Sequence, residues 1–322
     1  LQKTISICMI FHKHSHVGPI GNRNIQILEH IQNQLPGWNI IDATYLFRLK
    51  PVYWKDPDNR FLYNDTIPNR RLLVQQLDPG TYLENNEFMD QLDFNHLPCV
   101  SDVTCDWNFW AWLYGQDREH YNLNSIPLNL KDDFNHFLFF NKKAPLHRKH
   151  AIDNIINHDL TDYGIVTVDD GERYMTFEGN TREEEEGGQL FKWNNQSPPD
   201  GGLGNEDVVA NTFCYIVGET TYNDRFLSEK TWKPIIAKRP FLHLHPEKYK
   251  ALQDMGFKTF DCLWDEKRDW FENLLHLTTC NKQQIQEMYD SVQDILDYNY
   301  DYFWGEFQEK NIATLNQYLL QI

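Results

Sequence analysis

No apolar run in this chain approaches the ~20 residues that a helix needs to cross a bilayer, so no membrane span is expected. Positive charge is scarce as well: 30 Lys and Arg face 47 Asp and Glu, a formal charge of −17. That field repels phosphate backbones, which argues against sequence-independent nucleic-acid binding and leaves only a local basic cleft for an anionic partner. Cysteine is sparse and unclustered. Cys8, Cys99, Cys105, Cys214, Cys262 and Cys280 contain no C-x-x-C pair, so a thiolate metal cluster has no basis in the spacing. Their apolar surroundings favour free thiols of an intracellular protein over a Cys99–Cys105 bridge. The opening residues Leu1 to Ile10 read as a strand and not as a signal peptide, so a cytoplasmic location is the expectation. No internal repeat is visible beyond two β-α-β starts.

What the chain has is length and aromatic content. Its 322 residues exceed a typical single domain, so two domains are expected. Aromatic residues make up 14%, which suits large cores and partly polar clefts and excludes a disordered chain.

The first β-α-β start is the apolar run at residues 4–11, a glycine-containing turn, and a helical pattern through Ile25, Leu28 and Ile31. The run from Trp38 to Ile41 supplies the next strand. His12, His14 and His16 sit at period two where the first strand ends, a spacing that puts imidazoles at the carboxyl edge of a sheet; a metal site is the weaker alternative, since no matching ligand follows at helical spacing. Residues 49–95, punctuated by Pro51, Pro57, Pro68 and Pro79, read as loops and short helices. Asp56-Pro-Asp58 has a metal-site spacing but stands among turn formers, and Asp169-Asp170 reads as a turn for the same reason. No bound metal and no other cofactor is expected.

Between Cys99 and Gly115, aromatic residues crowd around Asp102 and Asp106. Aromatic faces beside carboxylates suit a carbohydrate, and simple core packing is the competing explanation. The second β-α-β start, Phe137 to Asn141 followed by a helix with Ile152, Ile155 and Ile156 and the strand Gly164 to Val168, sets a domain boundary near residue 130. Residues 179–206, with Glu183 to Glu186, paired glycines and Pro198-Pro199, read as a mobile loop over a cleft. Sequence from Asp265 onward is largely helical in pattern.

The stretch Phe226 to His245 organises the second half. Ser228, Glu229 and Lys230 lie where a helix starts; a helix start with a lysine beside it suits an anion, and an ordinary capped helix whose Glu229 complements the dipole is the competing explanation. Pro234 complicates that helix, which either kinks there or begins near Thr231 so that the proline falls in its first turn.

Phe139-Phe-Asn141, Arg148, Cys214 to Thr221, Phe226 to Lys230 and Arg239-Pro-Phe241 resemble, in order and approximate spacing, the donor-binding half of the α-1,3-fucosyltransferase family. The Ser228 to Pro234 block and Gly256 to Phe260 also resemble uncharacterised phage and bacterial glycosyltransferase-like proteins. Gly218-Glu-Thr-Thr stands where the family has Phe-Glu-Asn, Ser228 where it has Thr, and Pro234 is foreign to it. The resemblance implies a GT-B-like α/β architecture, two Rossmann-like domains facing a central cleft. Residues 1–130 would form the acceptor side and 131–322 the nucleotide-sugar side.

It further implies a glycosyltransferase that uses a nucleotide-diphosphate sugar as co-substrate and a glycan or other hydroxyl as acceptor. Asn141, Arg148, Glu219, Arg225, Ser228, Glu229 and Lys230 are then the donor-binding residues, with Arg148 and Lys230 on the diphosphate and Glu219 and Glu229 on hydroxyls. Asp102, Asp106 and His14 are the candidates for the catalytic base. Two other functions fit the same fold: glycosylation of modified bases in phage DNA, which the net charge opposes, and non-catalytic carbohydrate binding or assembly.

Overall fold

The computed structural model describes residues 107–116, 118–119, 121–141, 146–167, 202–219 and 227–321, the helical pieces 30–31 and 33–35, and the backbone of five short strands in the first two thirds of the chain. The chain divides into two compact units, Leu1–Phe109 with Ile312–Ile322, and Trp110–Asn311.

In the first unit, strands β1 (Asn39–Asp42), β2 (Arg71–Val74) and β3 (Cys99–Val100) form a parallel sheet in the order β1-β2-β3. β1 matches the strand expected from Trp38 to Ile41. β2, by contrast, falls inside the stretch expected to be loops and short helices. Its core, Leu72-Leu-Val74, is too short to show a period, and two parallel neighbours supply the strand identity that the local sequence does not. Helix α1 (Phe109–Gln116) follows the junction. Trp107, Phe109, Trp112 and Tyr114 are all buried, so these aromatics are core and not a sugar platform.

The second unit is built on four parallel strands: β4 (Asn135–Phe140), β5 (Gly164–Thr167), β8 (Thr212–Val217) and β9 (Phe241–His243), in the order β5-β4-β8-β9. A small antiparallel pair, β6 (Tyr174–Met175) and β7 (Thr181–Arg182), lies between β5 and β8 in sequence. The long strands read as continuous apolar runs because both faces are covered; every residue of β8 is buried. Helix α2 (Leu146–Asn157) connects β4 to β5, and its Ile152, Ile155 and Ile156 are buried. Helix α3 (Glu206–Ala210), capped by Asn205, precedes β8, and helix α4 (Glu229–Ala237) connects β8 to β9. The segment expected as a loop from 179 to 206 thus includes regular structure near both ends, and residues 179–180 and 183–201 lie outside the described residues.

The C-terminal helical pattern is present as α5 (Glu247–Asp254), α6 (Trp270–Leu277), α7 (Lys282–Ser291), α8 (Gln293–Tyr302), a wide turn at Phe303–Phe307, and α9 (Gln308–Gln321). Their aromatic side chains close over α4. Trp232 is fully buried with ring centroids 5.5 Å from Phe257, 5.5 Å from Phe303 and 5.3 Å from Phe307.

α5 ends in a Schellman turn, with Phe257 N–H donating to Leu252 O at 3.0 Å and Gly256 N–H to Gln253 O at 2.9 Å. Gly256 has φ 99°, and a Cβ there would stand 2.5 Å from Tyr302 Oη. That hydroxyl is held by its bond to Met255 O at 2.7 Å. Gly256→Ala is therefore expected to cost about 1 to 3 kcal/mol, from the left-handed backbone and the displaced tyrosine together, read as a fall in Tm.

A candidate anion site at the carboxyl edge of the parallel sheet

From β4 the chain passes through α2 to β5 on one side, and from β8 through α4 to β9 on the other. The two connections leave in opposite directions, which opens a crevice at the carboxyl ends of β4 and β8, the usual ligand position in such sheets. The register aligns Leu138 with Tyr215 and Tyr215 with Phe241, so the three strand ends reach one edge together. At that edge stand Asn141 after β4, Gly218 and Glu219 after β8, and Leu244 and His245 after β9. Helices α2 and α4 both begin there.

Asn141 is buried; its Nδ2 donates to Phe139 O at 3.3 Å, and its Oδ1 has no hydrogen-bond partner among the described residues. A buried amide oxygen without a donor costs free energy, so it marks a place where a ligand hydroxyl or N–H is welcome.

Ser228 caps α4, its Oγ accepting from Lys230 N–H. Glu219, fully buried, holds that cap: its carboxylate accepts from Ser228 N–H at 2.9 Å, Ser228 Oγ at 2.5 Å and Thr231 Oγ1 at 2.6 Å. Thr231 Oγ1 gives its proton to Glu219 and so accepts from His243 Nε2–H at 3.1 Å, which fixes the tautomer of that histidine. The helix starts at Glu229, earlier than the alternative start near Thr231. Pro234 thus lies beyond the first turn, where it removes the N–H that the Lys230 carbonyl would accept.

Lys230 Nζ donates to Glu229 Oε1 at 2.8 Å and to Ser228 Oγ at 3.2 Å. An ammonium has three N–H donors, and these bonds use two of them. Burial opposes ionisation of Glu229, but Lys230 and Lys233 outweigh it and hold its carboxyl down at about 2. Arg148, in the first turn of α2, is buried. His147 beside it bonds through Nε2 to Glu219 O at 2.7 Å and lies 5.5 Å, ring to ring, from His245. Burial lowers the pKa of His147, and Arg148 and Lys230 lower it further. Burial, with His147 and Lys248 adding to it, brings His245 down to about 4. The edge thus sets two cations, Arg148 and Lys230, beside two carboxylates, Glu219 and Glu229, with two histidines shifted toward their neutral form.

No known protein family, characterised protein or solved structure matches this chain.

Of the residues expected from sequence, Asn141, Arg148, Glu219, Ser228, Glu229 and Lys230 come together at this edge. Arg225, Asp102, Asp106 and His14 lie outside the described residues, as do Asp56-Pro-Asp58 and Asp169-Asp170. Among the described residues no cluster of His, Cys, Asp and Glu is placed to hold a metal ion, and no helix is long and apolar enough to cross a membrane. Cys214, Cys262 and Cys280 are free thiols. Sequence reasoning misses His147, Gly218, Thr231 and His245. The alternation His243-Leu-His245 on an apolar strand end is the signal that points to the last of these.

These histidines make stability pH-dependent. His147, His243 and His245 all have folded pKa values below the usual 6.5, so the unfolded chain takes up their protons first as pH falls. Their contribution is complete above pH 6.5 and is lost on acidification toward pH 4. Glu266, raised to about 6 by burial, works in the opposite sense between pH 6 and 4.5, because there the folded state holds its proton more tightly. Three groups outweigh one, so denaturant unfolding at pH 5 should give a smaller free energy than at pH 7.5. Glu266→Gln, which removes the opposing contribution, should deepen the drop.

Proposed function

We propose that this chain is a glycosyltransferase of GT-B type that moves a sugar from a nucleotide-diphosphate donor to an acceptor hydroxyl, with a glycan as the acceptor class. The observation that carries the reading is the convergence of two helix starts, Arg148 and Lys230 at the switch point of a parallel sheet. A diphosphate suits such an edge, because main-chain N–H groups and cations can both approach its oxygens.

In the reaction the acceptor oxygen attacks the anomeric carbon while the bond from that carbon to the diphosphate oxygen breaks. The proton of the acceptor passes to a base, and the electron pair leaves on the diphosphate. Arg148, Lys230 and the start of α4 would take up the charge that grows on the leaving group, the task that a metal performs in other transferases. Asn141 Oδ1 would accept from a donor hydroxyl. Glu219, with its carboxylate committed to Ser228 and Thr231, would act by positioning and not by touching the sugar. Asp102, Asp106 and His14, on the side of the sequence that the reading assigns to the acceptor, would be the candidates for the base.

A panel of nucleotide sugars tested by thermal shift examines this reading, since a ligand of the folded state raises Tm with its concentration. At least one donor, and its nucleoside diphosphate, should raise Tm; no shift across the panel would overturn the proposal. Turnover with that donor is expected to persist in excess chelator, and metal-reversible loss of turnover would contradict the roles given to Arg148 and Lys230.

A further inference from the structure

The dipeptide that leaves β8 supports both cations of the pocket. Gly218 is buried, and its backbone is outside the left-handed region, which among the described glycines only Gly204 and Gly256 occupy. Conformation therefore does not explain a glycine there. Space does: a Cβ at 218 would stand 3.2 Å from Arg148 Cγ, 3.4 Å from Arg148 Nε and 2.9 Å from Leu244 Cδ1. The stem of Arg148 lies directly over the bare backbone of this residue. Glu219 makes the complementary contacts. Its carboxylate takes Ser228 and Thr231 at the start of α4, and its carbonyl takes His147, next to Arg148 at the start of α2.

We propose that Gly218 and Glu219 are positioning residues: Gly218 seats Arg148, and Glu219 anchors the helix start that carries Lys230, so one dipeptide sets the separation of two diphosphate-binding cations. The inference rests on reading this pocket as a diphosphate site. A longer side chain at 218 lifts the guanidinium off the strand end without disturbing Lys230. Loss of the carboxylate at 219 releases Ser228 and Thr231 without touching the seat of Arg148.

Double-mutant cycles with pyrophosphate as the probe, measured by titration calorimetry on the full chain, test this assignment. Gly218→Ala should weaken pyrophosphate binding about fivefold in the wild-type background and in Lys230→Gln, but less than about twofold in Arg148→Gln, because residues in contact couple and separate ones add. Glu219→Gln should show the converse, coupling to Lys230→Gln. If Glu219→Gln does not fold, Thr231→Val, which removes one of the same hydrogen bonds, replaces it in the cycle. Equal effects of Gly218→Ala in all backgrounds would overturn the seating of Arg148, whatever its Tm, since a merely structural change does not distinguish Arg148 from Lys230. Unchanged pyrophosphate affinity in both Arg148→Gln and Lys230→Gln would instead remove the diphosphate reading itself, and the proposal with it.

Discussion

Arg239→Ala is expected to destabilise the second unit by about 3 to 5 kcal/mol, enough to unfold a domain of ordinary stability. The guanidinium is fully buried at the amino edge of the sheet, opposite the pocket. Its Nε donates to Thr212 O at 2.9 Å, its Nη1 to Ile126 O at 2.7 Å and Lys238 O at 3.0 Å, and its Nη2 to Val209 O at 3.0 Å. It thus ties the loop before β4, helix α3, the start of β8 and the end of α4 to one another. Removing it leaves several buried carbonyls without donors and a cavity in addition. Arg239→Lys should recover little, because an ammonium cannot reproduce the planar fork. Chemical denaturation of both variants checks the expectation, and a loss below ~1 kcal/mol for Arg239→Ala would refute the staple role.

Lys230→Ala and Arg148→Gln should each weaken nucleoside-diphosphate binding by about 1.5 to 3 kcal/mol, roughly 10- to 150-fold, as charge-assisted bonds to phosphate do. The two variants differ in their effect on the fold. Lys230 has a partly exposed side chain, but it holds the Glu229 carboxyl in its charged form, so its loss should lower Tm modestly. Arg148 is buried against Gly218, so its replacement should lower Tm as well, and glutamine is chosen to keep part of the packing volume. Isothermal titration with the nucleoside diphosphate and a melting curve for each variant separate the two effects. Affinity unchanged in Lys230→Ala would remove that lysine from the site.

The second unit is largely legible in the sequence. β8 is a run of five apolar residues after Thr212, which suits a doubly covered parallel strand, and Ser228 before an apolar-periodic helix announces the α4 start. The pocket residues are legible for the same reason, because strand ends and helix starts fall at fixed places in a β-α-β pattern. β2 is not legible, since a four-residue strand owes its form to neighbours that lie far away in sequence. Nor are the roles of the buried charges. Arg239 is held by non-local carbonyls and Arg148 is seated on a bare glycine, and neither surrounding shows in the linear sequence. Glu219 looks like a hydroxyl ligand until Ser228 and Thr231 are found on its oxygens.

Release of nucleoside diphosphate from the donor that raises Tm is the most direct test of the central claim, followed in the presence of chelator with hydroxyl acceptors. The account predicts acceptor-dependent release that survives the chelator and falls at least about tenfold in Lys230→Ala. A donor that binds but yields no diphosphate with any hydroxyl acceptor, or release that Lys230→Ala and Arg148→Gln leave unchanged, would contradict it.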